Sequence, residues 1–244
     1  MLYRDESNHV SVRTSIRPGE YNMATYDIVA SNNLMENPSP RCPCMLVLDI
    51  SGSMAGPPIQ ELNEGVRGFF AELKEDDIAA YSIEVGVITA GDQVTEQLPF
   101  TVVTAIEGCQ EFVANGNTPL GAAVELALRR LEERKAAYKA NGVAYYQPWL
   151  VIISDGQPND NWVPAASYSR QLQGSRGLVV LSVGVNNADM DILSKFSTRP
   201  ALKLEGLKFK EFFQWLSASM ARVSASASTS SNVTLPERDS WESI

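Results

Sequence analysis

The sequence predicts an α/β fold, a doubly wound and mostly parallel sheet of six strands with helices on both faces. Two continuous apolar runs, Cys44–Ile50 and Trp149–Ser154, are typical of central parallel strands that are covered on both sides. Segments with apolar residues at helical spacing alternate with the strands along the chain. Strands that alternate with helices favour a parallel sheet whose crossover helices pack on its two faces.

The first half of the pattern contains two further strands and two long helices. Apolar residues recur every three or four positions through 58–75, which predicts an amphipathic helix after the first strand. Ser82–Thr89 alternates and is predicted as a strand, and the polar alternating stretch Gln93–Leu98 is predicted as an antiparallel edge strand. A long helix is predicted to open at Thr118–Pro119, with proline at the first helical position, and to end at Asn141–Gly142.

The second half repeats the alternation of strands and helices. Leu178–Val185 is a further buried strand, and helices are expected on either side of it, around 163–175 and 189–197. A short strand near 201–204 and an amphipathic helix from about 208 to 223 complete the domain.

Composition changes at both ends of this pattern. Residues 1–40 are polar, with one short stretch of period two at His9–Ile16 that is compatible with a strand, and prolines near residue 40 separate them from the first apolar run. We therefore predict an N-terminal extension over 1–40 and one domain over 41–223. The serine-rich run that opens residues 224–244 has too little apolar area to pack, which predicts a low-complexity tail.

Charge and composition exclude several classes of partner. The chain has 244 residues and a formal net charge of −9, so its surface repels phosphate backbones and nucleic-acid binding is not expected. Its start lacks the apolar core of a signal peptide, and its longest apolar runs are about six residues, against the ~20 that span a bilayer. Three sparse cysteines, Cys42, Cys44 and Cys109, fit reduced thiols better than a disulfide or zinc site. These features predict a cytoplasmic protein with no membrane partner.

Two loops that follow buried strands carry the polar residues of a candidate metal site. Asp49 and Asp155 each lie at the carboxyl edge of a strand, where ligands bind in doubly wound sheets. Ser51 and Ser53 follow Asp49, and Gly52 between them allows a tight turn that directs both hydroxyls to one point. Hydroxyl and carboxylate oxygens suit Mg²⁺. With only two carboxylates the ion stays partly uncompensated, so we expect it to recruit an anion from outside.

These residues, with a threonine further along the chain, resemble the three-part metal-ion-dependent adhesion site of von Willebrand factor A (vWA) domains. The matching segments are Asp49-x-Ser51-x-Ser53, Thr118 within Asn117–Gly121, and Asp155-Gly156. The resemblance implies that Ser51, Ser53 and Thr118 coordinate Mg²⁺, or Mn²⁺ in its place, through their hydroxyls. It also implies that Asp49 and Asp155 act directly or through water, that the strand order is 3-2-1-4-5-6, and that an acidic partner residue completes the metal shell.

A closer similarity is to bacterial cytosolic vWA proteins of the TerY/YegL type, which are associated with tellurite resistance and stress. It implies a scaffold or regulator, often encoded beside a Ser/Thr protein kinase and a PP2C-type phosphatase. The segments that carry it are Asp49–Met54, Ile59–Gly65, Asn117–Gly121, Leu131–Lys135, Tyr145–Trp149 and Ser154–Pro158.

The leading hypothesis is a non-enzymatic, metal-dependent protein-interaction module whose partner supplies an Asp, a Glu or a phosphorylated residue. The alternative is a Mg²⁺-dependent phosphohydrolase, but aspartyl-phosphate chemistry needs a second acid two residues after the nucleophile, where Ser51 stands. No histidine, cysteine or lysine is visibly set as general acid or base beside these loops. An extracellular adhesin is a third reading. For the residues themselves the competing interpretation is ordinary capping, with Thr118 as the N-cap of the long helix.

Overall fold

A computed structural model describes residues 37, 39–108, 110–155 and 157–238. Its six strands are β1 (Cys42–Asp49), β2 (Ile83–Ala90), β3 (Val94–Val102), β4 (Trp149–Ser154), β5 (Val179–Gly184) and β6 (Leu202–Lys203). Its six α-helices are α1 (Pro57–Glu75), α2 (Asp77–Ser82), α3 (Leu120–Ala140), α4 (Val163–Gly174), α5 (Met190–Leu193) and α6 (Phe209–Ser224). Short 3₁₀ turns lie at Gly52–Met54, Val103–Ala105 and Ser194–Phe196. Among the described residues no helix is both long enough and apolar enough to cross a bilayer.

The strands form one sheet in the order β3-β2-β1-β4-β5-β6, which confirms the predicted order. Every neighbouring pair is parallel except β2 and β3, so the predicted antiparallel edge strand is also confirmed. In the register, Asp49 lies opposite Ala90 of β2, and Leu48 lies opposite Ile153 of β4. The carboxyl ends of β1 and β4 therefore meet at one edge of the sheet.

Burial follows the pattern that the sequence predicts for central and edge strands. All residues of β1, β2 and β4 are buried, because helices cover both faces of the sheet there. No residue of β3 is fully buried, as expected of a strand whose outer edge faces water. Successive side chains of β1 alternate between the two faces: Leu46 and Leu48 belong to one apolar cluster, and Met45 and Val47 belong to the other.

Two helical layers cover the sheet, one against each apolar cluster. The first layer consists of α1 and α6, whose phenylalanines at 69, 212 and 213 are buried in that cluster. The two helices pack closely at Gly65, since a Cβ atom there would lie 2.7 Å from Cδ2 of Phe213. The second layer consists of α3 and α4, with Val124, Leu128 and Ala166 facing the sheet. This arrangement confirms the doubly wound fold.

The helix that follows the candidate threonine begins differently from the prediction. It starts at Leu120, and Pro119 occupies the N-cap position instead of the first helical position. Its ψ of 59° is outside the helical range, so the chain turns into the helix one residue later than expected. The N-cap residue makes no side-chain hydrogen bond to the first turn of this helix.

Three other details differ from the sequence-based expectations. Helix α2 is not predicted by the pattern, because six residues are too short to show helical periodicity. The helix expected over 189–197 consists of one α-helical turn and a 3₁₀ turn. The residues after α6 make contacts with the domain: Leu235 packs against the first apolar cluster, and Trp215 Nε1 donates to the Pro236 carbonyl at 2.9 Å. Leu235, the apolar residue in these contacts, lies beyond the serine-rich run. The strand expected at 9–16 lies outside the described residues, and the domain boundaries stay predictions.

A buried ionic network lies at the opposite end of the sheet from the carboxyl edge. Glu84, near the start of β2, forms an ion pair with Arg41 Nε at 3.1 Å and accepts a hydrogen bond from Arg134 Nε at 2.6 Å. The Tyr138 hydroxyl donates to the same carboxylate at 2.7 Å. Arg41 is 1% exposed and Glu84 is 2% exposed, so both charges are out of water and depend on each other. This network joins the residues before β1 to β2 and α3.

Candidate metal centre

The candidate ligands lie at the carboxyl edge of the two central strands. Asp49 is the last residue of β1 and is fully buried. Asp155 directly follows β4 and is 8% exposed. The parallel register of β1 and β4 ends both strands at the same level, which brings these two carboxylates into one region. A buried carboxylate needs strong donors or a cation, so the hydrogen-bond partners of the two aspartates decide what this edge can bind.

Both carboxylate oxygens of Asp49 accept hydrogen bonds from residues at the same edge of the sheet. Oδ1 accepts from the Ser51 backbone N–H at 2.9 Å, which folds the loop back over the strand end. Oδ2 accepts from the Ser154 hydroxyl at 2.5 Å, so the last residue of β4 contacts the last residue of β1. Ser154 is a part of the site that the sequence did not single out. The sequence indicates it through its position as the last residue of the predicted strand, directly before Asp155.

A chain of hydrogen bonds joins Ser51, Ser53 and Asp155. The hydroxyl oxygens of Ser51 and Ser53 are 3.0 Å apart, and Ser53 Oγ donates to Asp155 Oδ1 at 2.8 Å. Ser51 is 2% exposed, and the 3₁₀ turn that follows it holds the two hydroxyls on the same side of the loop. The structure thus brings four of the five predicted ligands into hydrogen-bonded contact, through side chains that are 102 residues apart in sequence.

Thr118 is placed at this edge by backbone hydrogen bonds of its loop. The Gly52 N–H donates to the Gly116 carbonyl at 3.0 Å, and the Asn115 N–H donates to the Ile50 carbonyl at 2.8 Å. Gly116 has φ of +66°, and a Cβ atom there would lie 2.3 Å from the Asp92 Cα, so this position requires glycine. Thr118 itself is 8% exposed. The structure therefore places the Thr118 segment against the Asp49–Ser53 loop.

A carboxylate from the loop after β4, which also carries Asp155, lies at the start of helix α3. Asp160 accepts from the Gly121 N–H at 3.0 Å through Oδ1 and from the Ala122 N–H at 2.8 Å through Oδ2. The interpretation of Thr118 as the N-cap is therefore wrong, because another residue satisfies these first-turn N–H groups. The sequence could not indicate this contact, since it joins segments 38 and 39 residues apart.

The electrostatics of the site favour a cation. Burial raises the pKa of the Asp155 carboxyl above its ordinary value, and the hydrogen bond from Ser53 opposes the rise. The negative charge of Asp49 raises the same pKa further, and the Asn186 side chain lowers it by hydrogen bonding. Burial and the charge of Asp49 thus both disfavour the ionised form of Asp155, and a divalent cation beside that carboxylate would favour it.

The donor set fits a small, hard cation. Carboxylates and hydroxyls supply only oxygen, which Mg²⁺ prefers. The described part of the chain contains no group of three histidine, cysteine, aspartate or glutamate side chains placed to hold a metal. A metal at this edge would therefore depend on the hydroxyls of Ser51, Ser53 and Thr118 in addition to the two aspartates. That is a Mg²⁺-like donor set and not a zinc-like one.

A polar cleft of about 750 Å³ opens beside Ser53 and Asp155. Its other walls come from the loop after β5 and from the end of β6 with the loop that follows, two segments that no sequence pattern connects with the site. Lys203 lines the cleft as well, a residue that no sequence pattern connects with the site. Among the described residues, the others that line it are Asn186, Asn187, Leu204, Glu205 and Gly206.

The family model of the von Willebrand factor type A domain matches residues 44–214, well over half of the chain. The chain belongs to this family. The matched span contains all five candidate ligands and five whole strands of the sheet, together with most of β1. Domains of the family often bind a metal ion at an adhesion site of this kind and mediate protein interactions.

Solved structures with this fold come from distant sources. A von Willebrand factor type A protein from Catenulispora acidiphila superposes with a TM-score of 0.56 at 14% identity, over 75% of this chain and 43% of that one. The pilus adhesin SpaC of Lactobacillus rhamnosus GG, in its open conformation, gives 0.58 at 13% identity, over 75% and 30%. The proximal thread matrix protein 1 of the mussel byssus gives 0.52 at 14% identity, over 76% and 49%. The chain spans less than half the length of these proteins, and the likeness concerns the fold alone. Among curated proteins no match was found.

Proposed function

We propose that this domain is a metal-dependent protein-interaction module that holds one Mg²⁺, or Mn²⁺ in its place, through Asp49, Ser51, Ser53, Thr118 and Asp155. The observation that carries the proposal is the hydrogen-bonded chain from Ser51 through Ser53 to Asp155, closed against Asp49 at the end of β1. Oxygen donors gathered in this way suit a hard cation.

Each residue has a distinct task in the proposed site. The hydroxyls of Ser51, Ser53 and Thr118 are neutral donors, and Asp49 and Asp155 compensate the charge. Ser154 orients Asp49 by donating to Oδ2 at 2.5 Å. When bound, the ion would supply an electrophilic position for an anionic oxygen of a partner. Because three of the donors are neutral, we expect the ion to favour an Asp, Glu or phosphorylated partner residue.

The cleft beside Ser53 and Asp155 is the route by which we propose the partner residue approaches. Among the described residues that line it, Lys203 is the single basic side chain. Glu205 lines it as well, but its carboxylate forms an ion pair with Lys208 at 2.5 Å. The Asn187 amide offers a further hydrogen bond, whereas the Asn186 side chain is engaged with Asp155. An acidic partner segment would thus meet one ammonium group and the Asn187 amide next to the ion.

The cellular setting is part of the same proposal. The similarity to TerY/YegL-type proteins supports a cytoplasmic scaffold in a bacterial stress or tellurite-resistance system. A Ser/Thr kinase or a PP2C-type phosphatase is the partner that this similarity favours. We further propose that the module is not an enzyme, since the position two residues after Asp49 is a serine that hydrogen-bonds Ser53 and cannot act as an acid.

The direct test has two parts, metal binding by the purified protein and partner recovery from the native host. Isothermal titration with MgCl₂ should show one site, which Asp49→Ala and Thr118→Ala each weaken strongly while circular dichroism stays unchanged. Asp76→Ala, which removes a helix cap distant in sequence from the candidate ligands, is the matched control and should bind as the wild type does. Affinity purification with Mg²⁺ should recover partners that EDTA and Asp49→Ala both remove. Absence of a Mg²⁺ site, or identical partners in EDTA, would overturn the proposal.

A further inference from the structure

The first turn of α3 follows Thr118 by only two residues, and a threonine in such a place commonly caps the helix. In that geometry its hydroxyl accepts from a first-turn N–H and is then engaged with the backbone. Here the cap position belongs to Pro119, which offers no side-chain acceptor. The N–H groups of Gly121 and Ala122 are instead satisfied by the two carboxylate oxygens of Asp160, at 3.0 and 2.8 Å.

Asp160 lies in the loop that carries Asp155, and that loop is attached to the Thr118 segment at two other points. The Asn159 N–H donates to the Thr118 carbonyl at 3.1 Å. At Gly121, a Cβ atom would lie 2.5 Å from the Trp162 Cα, so the loop rests directly on the helix backbone. The segment from 159 to 162 therefore contacts the start of α3 by a carboxylate, a backbone hydrogen bond and close packing.

We infer that Asp160 is a positioning residue for the metal centre, which acts through Thr118. By satisfying the first turn of α3 it takes the capping task from Thr118 and leaves that hydroxyl available to the ion. By joining the loop of Asp155 to the segment of Thr118 it also fixes the distance between two ligands. The inference rests on the proposed function, because it assigns Asp160 to the same site.

A double-mutant cycle tests this assignment. The four proteins are the wild type, Thr118→Ala, Asp160→Ala and the double variant, and the readouts are the Mg²⁺ dissociation constant and urea unfolding in EDTA. We expect Asp160→Ala alone to weaken Mg²⁺ binding about tenfold, as is common for residues that orient ligands. In the Thr118→Ala background the same change should have almost no further effect, because its target is already gone.

Asp76→Ala is the matched control, since Asp76 caps α2 by accepting from the Ala79 N–H at 2.8 Å and is distant in sequence from the candidate ligands. Asp76→Ala should lower the urea midpoint in EDTA about as much as Asp160→Ala does. It should leave the Mg²⁺ dissociation constant unchanged. Asp160→Asn, which keeps one carbonyl acceptor, should restore part of the affinity lost in Asp160→Ala. If Asp160→Ala does not fold, the same cycle is run with Asp160→Asn.

The outcomes separate this inference from the proposed function. Equal weakening by Asp160→Ala with and without Thr118, or unchanged Mg²⁺ binding in Asp160→Ala, overturns the role of Asp160 while the metal site stands. A wild type that binds no Mg²⁺, or a Thr118→Ala variant that binds as the wild type does, overturns the proposed ligand set itself. Amide exchange at Gly121 and Ala122 in EDTA gives an independent readout and should accelerate only when Asp160 is replaced.

Discussion

At the scale of single residues, Gly116 shows how backbone geometry limits the candidate centre. Its φ of +66° and the 2.3 Å approach that a Cβ atom would make to the Asp92 Cα leave no room for a side chain. Its carbonyl also accepts from the Gly52 N–H, which links the Thr118 segment to the serine loop. The residue is therefore needed for its shape and for the hydrogen bond that its conformation directs.

Gly116→Ala should lower the free energy of unfolding by more than about 2 kcal/mol, because left-handed strain and a backbone clash add together. Gly142→Ala is the matched control: its φ is +65°, but nothing lies within 4 Å of its Cβ position, so strain alone should cost about 1 kcal/mol. Urea unfolding measures both. Gly116→Ala should also weaken Mg²⁺ binding in titration, whereas equal losses for the two variants would contradict the clash.

Most of the candidate site could be predicted residue by residue, and the exceptions share one cause. Asp49 and Asp155 follow buried strands, and the edge where such strands end is fixed by the fold class. Asp160 and Lys203 could not be found in this way, because they come near the site through the packing of segments distant in sequence, which no local pattern records. Thr118 lies just before a helix, as the sequence predicts. The interpretation that it caps this helix is wrong, because Asp160 satisfies the first-turn N–H groups from a segment distant in sequence.

At the scale of elements, the buried strands were the most predictable part of the molecule. A strand covered on both faces must be apolar throughout, and β4 matches its predicted bounds of Trp149–Ser154. The short elements were less predictable: α2 has too few turns to show a period, and the helix expected over 189–197 consists of the single turn α5 and a 3₁₀ turn. Helix α3 shows both cases. Most of it lies where the sequence predicts, but it starts at Leu120, one residue later than predicted.

The ionic network around Glu84 joins β2 and α3 to the segment before β1, and a prediction at this scale follows from it. Glu84→Ala should lower the free energy of unfolding by about 3–5 kcal/mol, because it leaves the buried charge of Arg41 without its carboxylate. Glu133→Ala removes the exposed ion pair with Arg130 and should cost less than about 1 kcal/mol. Urea unfolding compares the two. Since Glu84 lies near the amino end of β2, Mg²⁺ binding should be unchanged, and a joint loss of both properties would argue against a purely structural network.

At the scale of the whole molecule, the net charge of −9 opposes the acidic partner that we propose. Lys203 lies in the cleft beside Asp155 and offsets this field locally. The effect of a lysine in the cleft can be separated from the effect of total charge. Replacing any lysine by glutamate changes the net charge by the same amount, wherever the lysine lies. Lys195 is exposed and is not among the residues that line the cleft, so it serves as the comparison.

Lys203→Glu should slow association with a Mg²⁺-dependent partner severalfold at low salt, and Lys195→Glu should have a much smaller effect. Surface plasmon resonance with the recovered partner, at low and at high ionic strength, measures both rates. The difference between the variants should shrink as salt screens the charges. Equal slowing by the two substitutions would mean that total charge, and not the cleft, governs the encounter.

The hydrogen bond between Ser53 and Asp155 spans 102 residues of chain, and this separation has a kinetic consequence. Closing so long a loop is entropically costly and requires β1 and β4 to pair, so we expect the centre to form late in folding. An ion held there would then stabilise contacts that are absent from the folding transition state. Mg²⁺ should therefore lengthen the lifetime of the folded domain without hastening its formation, a difference that stopped-flow unfolding and refolding with and without the ion would register.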